Sequence, residues 1–236
     1  MNAQLNDELT RLGEVRAVVF DLFGTLMQIT RPKRPYASLR QMIESDLRST
    51  GRTRDLPDLT EDVEGGATAP GQSTPASLPD FARMVMTEPL AWTQVAQRCG
   101  ATLTATEVAR LDRELRAEVE SICLFDDVMD TLTTLRTRTY QLAVCSNLAQ
   151  PYAIAARKLL PKSFALEVMS CEVGFIKPEA AIYECVLAGF DPINDGGADR
   201  PLRPIRPDEI LFVGDRLNED VQGPQAFGMR AMQIVR

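Results

Sequence analysis

The sequence predicts an α/β fold, a doubly wound parallel sheet into which a helical unit is inserted, and three observations carry that expectation. The run Val15-Arg16-Ala17-Val18-Val19-Phe20 has strand length, is largely apolar and β-branched, and ends in Asp21 just before a Gly24-Thr25 turn. It reads as a buried strand with a carboxylate at its carboxyl end, where open α/β sheets bind ligands. From residue 123 onward, helical patterns alternate with short apolar strands, which is how parallel sheets are built. Residues 31–122 carry helical periodicity instead, so the chain divides into a core of 1–30 and 123–236 and an insertion of 31–122.

Taken in order, the basic cluster Arg31-Pro32-Lys33-Arg34-Pro35 reads as solvated surface, with a substrate-anion role as the second reading because it follows the Asp21 turn so closely. A helix is expected from Tyr36 to Arg48. The stretch 51–79 is rich in Pro, Gly, Ser and Thr and poor in apolar periodicity, so it buries too little to offset its ordering entropy and reads as a mobile loop. Helical pattern returns at Phe81, breaks at Pro89 and resumes toward Cys99. Thr104 and Glu107 form a capping box for a helix whose face is Val108, Leu111, Leu115, Val119 and Ile122. The core then resumes with a helix over Asp126 to Arg138, a strand over Tyr140 to Cys145, a helix over Pro151 to Leu160, a strand over Phe164 to Met169 and a helix beginning at Pro178. Asp191 to Pro207 is a second Pro- and Gly-rich loop. The strand Glu209 to Val213, a helix ending at Gly228 and a last strand from Arg230 to Val235 close the chain.

Composition narrows the chemistry. The chain has 236 residues, of which 44% are hydrophobic and 25% charged, so it can bury a real core. A net charge of −7 gives no electrostatic footprint for nucleic acid or an anionic membrane, and no apolar run approaches membrane length. Five cysteines without CxxC spacing, and an N-terminus without a signal-peptide pattern, point to a reduced cytoplasmic location. The absence of histidine removes Ser-His-Asp and Cys-His nucleophile pairs and the usual zinc sites, which leaves carboxylates, Lys, hydroxyls, thiols or a hard metal.

Three strands end in polar residues at one sheet edge: Asp21; Ser146 with Asn147; and Asp215 with Asp220 beyond it. Converging carboxylates repel unless a cation sits between them, and a hard oxygen-seeking ion such as Mg²⁺ suits the residue types. Lys177, just before a helix, can reach the same edge.

Four motifs in this order, FDLFGTL at Phe20–Leu26, AVCSN at Ala143–Asn147, FIKPE at Phe175–Glu179 and VGDRLNED at Val213–Asp220, resemble the haloacid dehalogenase-like hydrolase superfamily. The resemblance implies a Rossmann-like core with an inserted α-helical cap, and Mg²⁺ as cofactor. It makes Asp21 the nucleophile and a metal ligand, gives Phe23 a metal contact through its backbone carbonyl only, and puts Ser146 on the phosphoryl oxygens. Lys177 would hold the nucleophile and phosphate charge, Asp215 would complete the metal site with Asp220 as a second acidic partner, and Thr25 and Asn147 would touch substrate. The implied reaction is hydrolysis of a small phosphorylated metabolite through an aspartyl-phosphate.

Phosphatases resembling this chain carry a second Asp two residues after the nucleophile, where this sequence has Phe23. Loss of that general acid and base removes a contribution of about 10²- to 10⁴-fold for a poor leaving group. Two other readings follow from the departure: a 2-haloacid dehalogenase-like hydrolase, whose halide needs no proton, and a binding or regulatory module with little turnover. The sequence carries no signal for an oligomeric state.

Overall fold

The computed structural model of the chain describes residues 1–51, 81–192 and 203–236. The stretch 51–79, apart from Gly51, and residues 193–202 of the second loop lie outside them. In chain order the elements are α1 (Asn2–Leu12), β1 (Ala17–Phe20), β2 (Met27–Ile29), α2 (Pro35–Ser49), α3 (Phe81–Thr87), α4 (Trp92–Arg98), α5 (Ala105–Val119), β3 (Ile122–Leu124), α6 (Val128–Thr137) and β4 (Gln141–Ser146). They continue with α7 (Gln150–Leu159), β5 (Leu166–Met169), α8 (Ser170–Val173), α9 (Ala180–Gly189), β6 (Ile210–Gly214), α10 (Gly223–Phe227) and β7 (Arg230–Gln233).

Five of the strands form one parallel sheet in the order β5-β4-β1-β6-β7, with β1 central. The chain steps from β1 to β4 and β5 on one side, then crosses to β6 and β7 on the other, and this reversal opens a crevice at the carboxyl end of β1. All four residues of β1 are fully buried because both sheet faces are covered. Val18 and Phe20 pack with Leu5 and Leu9 of α1, Leu132 and Leu135 of α6 and Ala153 of α7. Ala17 and Val19 face the other way, toward Ile182, Tyr183 and Val186 of α9. The sheet is therefore doubly wound, as expected.

A third apolar cluster joins α2, α3, α4 and α5 through Leu39, Ile43, Met84, Val95 and Leu111. The chain enters and leaves this helical region along a two-stranded antiparallel ribbon in which Ile29 of β2 faces Ile122 of β3. No helix among the described residues is long and apolar enough to cross a membrane.

Several elements differ from the sequence reading. The helix α1 was not expected, yet Leu5 and Leu9 sit four residues apart and are buried against the core. Ile122 belongs to β3 rather than to the α5 face, because the helix stops at Val119 and Ser121 bonds back to the Glu118 carbonyl through both its N–H and its hydroxyl. The α5 capping box itself is present: Glu107 N–H donates to Thr104 Oγ1, and Thr104 N–H donates to Glu107 Oε2 at 2.7 Å. The helix expected at Pro178 starts at Ala180, after an N-cap at Glu179. A π-helical segment, Leu217–Gln222, precedes α10, and π geometry of this kind concentrates at functional sites.

Candidate active site

Because β4, β1 and β6 are adjacent and parallel, their carboxyl ends bring Ser146, Asp21 and Asp215 together. Asp21 is buried directly after β1, its N–H donating to the Val213 carbonyl at 2.9 Å. Ser146 Oγ donates to Asp21 Oδ1 at 3.0 Å, and Lys177 Nζ donates to the same oxygen at 2.7 Å. Asp21 Oδ2 carries no such bond among the described residues, which leaves one oxygen of the carboxylate available.

Lys177 is 2% exposed, an unusual place for an ammonium, and its second partner is Asp220 Oδ1 at 2.5 Å. Asp220, wholly buried, is returned to the site by the π-helical segment, and its Oδ2 accepts from Arg216 N–H at 2.9 Å. Asn147 grips the lysine backbone from both sides: Nδ2 donates to the Lys177 carbonyl at 2.8 Å, and Lys177 N–H donates to Asn147 Oδ1 at 2.7 Å. The sequence reading gives Asn147 to substrate. In the structure its amide bonds the Lys177 backbone and, through Nδ2 at 3.4 Å, Glu219 Oε2.

Burial pushes the Asp21 carboxyl up to about 6, against the opposing pull of Lys177, with Asp220 and Asp215 adding to the rise. Burial and Asp220 also raise Asp215. Burial works to lower the Lys177 ammonium, but Asp21 and Asp220 outweigh it and the net shift is upward, so Lys177 stays charged. Lys177 thus pairs with two of the three carboxylates, and Arg216 lies beside the third.

The carboxylate oxygens of Asp21, Asp215 and Asp220 come within 4.8 Å of one another. Asp215 Oδ1 is buried with no hydrogen-bond partner, a costly condition for a carboxylate oxygen unless something positive completes it. Such a donor set fits a hard divalent cation such as Mg²⁺. Asp21 and Asp215 are the residues with oxygens to spare, whereas both oxygens of Asp220 are occupied by Lys177 and Arg216. Two glycines, which the sequence reading did not weigh, make this approach possible. A Cβ on Gly24, whose φ is +86°, would come within 2.4 Å of Asp215 Oδ2, and one on Gly214 would come within 2.3 Å of Asp220.

Thr25 is fully buried; its Oγ1 has no hydrogen-bond partner among the described residues, and its carbonyl accepts the Arg236 guanidinium at 2.6 Å. Phe23 presents its ring edge-on to Tyr152 at 6.0 Å. The Tyr152 hydroxyl donates to Glu118 Oε1 at 2.5 Å, and the buried Glu118 also accepts the backbone N–H groups of Lys33 and Arg34. The side chains of Arg31 to Arg34 are exposed, while their backbone is fixed by Glu118 and Ser121.

A sequence profile of the haloacid dehalogenase-like hydrolases matches residues 15–228. No curated protein matches the chain significantly. Similar solved structures include a haloacid dehalogenase-family enzyme from Bacteroides thetaiotaomicron in complex with magnesium and inorganic phosphate (15% identity, TM-score 0.53, 93% of each chain covered). A predicted hydrolase of the same type from Porphyromonas gingivalis (18%, TM-score 0.55, covering 94% of this chain and 92% of that one) is similar in fold. So is a phosphatase of this type from Thermococcus onnurineus (20%, TM-score 0.52, covering 94% and 87%).

Proposed function

Because the chain belongs to the haloacid dehalogenase-like hydrolases, we propose that it hydrolyses a small phosphorylated metabolite through an aspartyl-phosphate on Asp21, with Mg²⁺ at the carboxylate cluster. The observation that carries this reading is the buried Asp21, held at one oxygen by Ser146 and Lys177 with the other oxygen open, beside an Asp215 oxygen that has no partner.

In the proposed reaction Asp21 Oδ2 attacks phosphorus as the bond to the leaving oxygen breaks, and that oxygen departs with the electron pair. Water then attacks the phosphorus of the aspartyl-phosphate, its proton passes to solvent, and orthophosphate and the free carboxylate are released. Ser146 and Lys177 hold the nucleophile in place and donate to phosphoryl oxygens as charge spreads over them. Asn147 and Asp220 keep Lys177 aimed, one through its backbone and the other through its ammonium. Mg²⁺ bound at the cluster would neutralise charge on the carboxylates and the transferring group.

No carboxylate stands at Phe23 to donate a proton to the leaving oxygen. The reaction therefore favours acyl or aryl phosphates, whose leaving groups are stable without one. A carboxylate-bearing haloacid suits the site less, since it would add a negative charge beside three carboxylates that already outnumber Lys177 and Arg216. Hydrolysis of acetyl phosphate with and without Mg²⁺, beside halide release from a 2-haloacid, tests the reading. Mg²⁺-dependent phosphate release is expected. Halide release without metal would replace it with the dehalogenase, and turnover of neither substrate would favour a binding module.

A further inference from the structure

The short helix α3 of the inserted unit is bonded to both loops that carry the proposed chemistry. Met84 and Val85 bury it in the cluster formed by the inserted helices. Its Met86 carbonyl accepts the Ser170 hydroxyl at 2.7 Å, and that hydroxyl in turn accepts Leu148 N–H at 2.9 Å, directly after Ser146 and Asn147. One turn earlier in the same helix, Arg83 reaches the segment between α8 and α9 that bears Lys177. Arg83 Nε donates to Glu179 Oε1 at 2.7 Å, and its Nη2 donates to Glu179 Oε2 at 3.2 Å and to the Gly174 carbonyl at 3.3 Å.

The guanidinium therefore grips residues 174–179 at both ends. Glu179 also closes the segment on itself, since its Oε2 accepts Ile176 N–H at 3.4 Å and its own N–H donates to the Ile176 carbonyl at 2.8 Å. Lys177 sits inside that fold, and Asn147 holds its backbone from the end of β4. A planar fork can serve a carboxylate and a carbonyl together, which a lysine ammonium cannot do in the same geometry. The side chains of Arg83 and Glu179 are 42% and 34% exposed, so the pair adds little to stability. Its geometric worth is separate, because displacing a catalytic group by about 1 Å can cost ~10²-fold in rate.

We propose that Arg83 is a positioning residue for the reaction: by clamping Gly174 and Glu179 it fixes the segment that aims Lys177 at Asp21. The inserted unit thus contributes to the chemistry through the lysine. The proposal rests on the phosphoryl reading above, in which Lys177 holds the nucleophile and the charge on the phosphoryl group, and it adds a residue from outside the four motifs.

Two measurements on the full chain test it: hydrolysis of acetyl phosphate with Mg²⁺, and amide hydrogen exchange across residues 174–179. Arg83→Met should lower kcat roughly tenfold or more while KM changes by less than about threefold, because a misaimed lysine fails the transition state more than the ground state. Exchange of the Ile176, Lys177 and Glu179 N–H groups should quicken roughly tenfold, with β1 and β6 as in the parent. Arg83→Lys keeps the charge without the fork and should recover part of kcat. Arg98→Met breaks a comparably exposed ion pair of the same unit, Arg98 with Glu88 at 2.5 Å, and should change neither kcat nor exchange at 174–179. Both methionine variants should lower the thermal midpoint by no more than about 4 °C. Unchanged exchange in Arg83→Met, quickened exchange with unchanged kcat, or an equal loss of kcat in Arg98→Met would each overturn the positioning role. A parent that hydrolyses no phosphate would overturn the phosphoryl reading and the catalytic role of Arg83 with it, while exchange would still show whether Arg83 holds the segment.

Discussion

The two ends of strand β6 carry carboxylates in opposite electrostatic condition. At the amino end Glu209 is nearly wholly buried yet fully answered: Arg203 donates to both of its oxygens, at 2.9 and 2.5 Å, and Arg206 N–H adds a third bond at 2.8 Å. Those Arg203 hydrogen bonds outweigh burial and hold the carboxyl down to about 2. At the carboxyl end Asp215 has a buried oxygen with no partner, and burial with Asp220 beside it pushes its carboxyl up. One strand thus joins a carboxylate arranged for stability to one left in excess of its cations. Sites that must receive a charged ligand are built this way, with the unmet charge tolerated by the scaffold around it.

Removing the buried lysine at the crowded end should have the largest effect. Lys177→Met leaves Asp21 and Asp220 buried, facing each other and unpaired, and should cost about 3–5 kcal/mol in urea unfolding while abolishing phosphate release. A loss below about 1 kcal/mol, the size typical of an exposed pair, would mean that the pair is solvated and that the crowded end is not crowded.

Adding a carboxylate to the same end sharpens the contrast differently. Phe23→Asp should raise turnover of alkyl phosphates, by less than the full ~10²- to 10⁴-fold expected of a well-placed acid, because the surroundings fit a phenyl ring packed on Tyr152. A parent that already hydrolyses alkyl phosphates rapidly, and slows on this substitution, would show that the proton comes from elsewhere.

Neutralising each end of β6 should give opposite signs. Metal-free Asp215→Asn should be at least as stable as the parent at neutral pH, since a raised carboxyl is an unfavourable charge once ionised, and calorimetry should find Mg²⁺ binding roughly tenfold weaker or worse. Unchanged Mg²⁺ affinity would remove Asp215 from the metal site. Glu209→Gln, by contrast, should destabilise by about 1 kcal/mol at neutral pH. Its carboxyl is depressed on folding, so the stability it contributes is fully present above a pH of about 4.5 and is lost as pH falls through about 2. Unfolding measured across that window should bring parent and variant together, and a constant difference would show that the contribution is not the charge.

Much of this was legible before any coordinates. Asp21, Ser146 and Asp215 were placed at one edge by strand endings, since a parallel sheet carries all its carboxyl ends on one side, and Lys177 by its position just before a helix. The helix α1 escaped notice because a short amphipathic segment near a terminus has little periodic signal beyond Leu5 and Leu9. That Asn147 bonds the Lys177 backbone was not legible, because a polar residue after a strand looks the same whether it faces a ligand or a neighbouring backbone.

The alternation of helices and strands after residue 123, the lack of a histidine nucleophile system and the replacement of a proton donor by Phe23 are properties of the sequence, fixed by local pattern and residue chemistry. Which oxygen of Asp21 is left open, that Asp220 serves Lys177 through a π-helical return, and that Gly24 and Gly214 admit two carboxylates were decided only by tertiary structure. Hydrogen bonds and ring contacts depend on distances of a few ångströms between residues 30 to 156 positions apart, and spacing along a chain does not encode such distances.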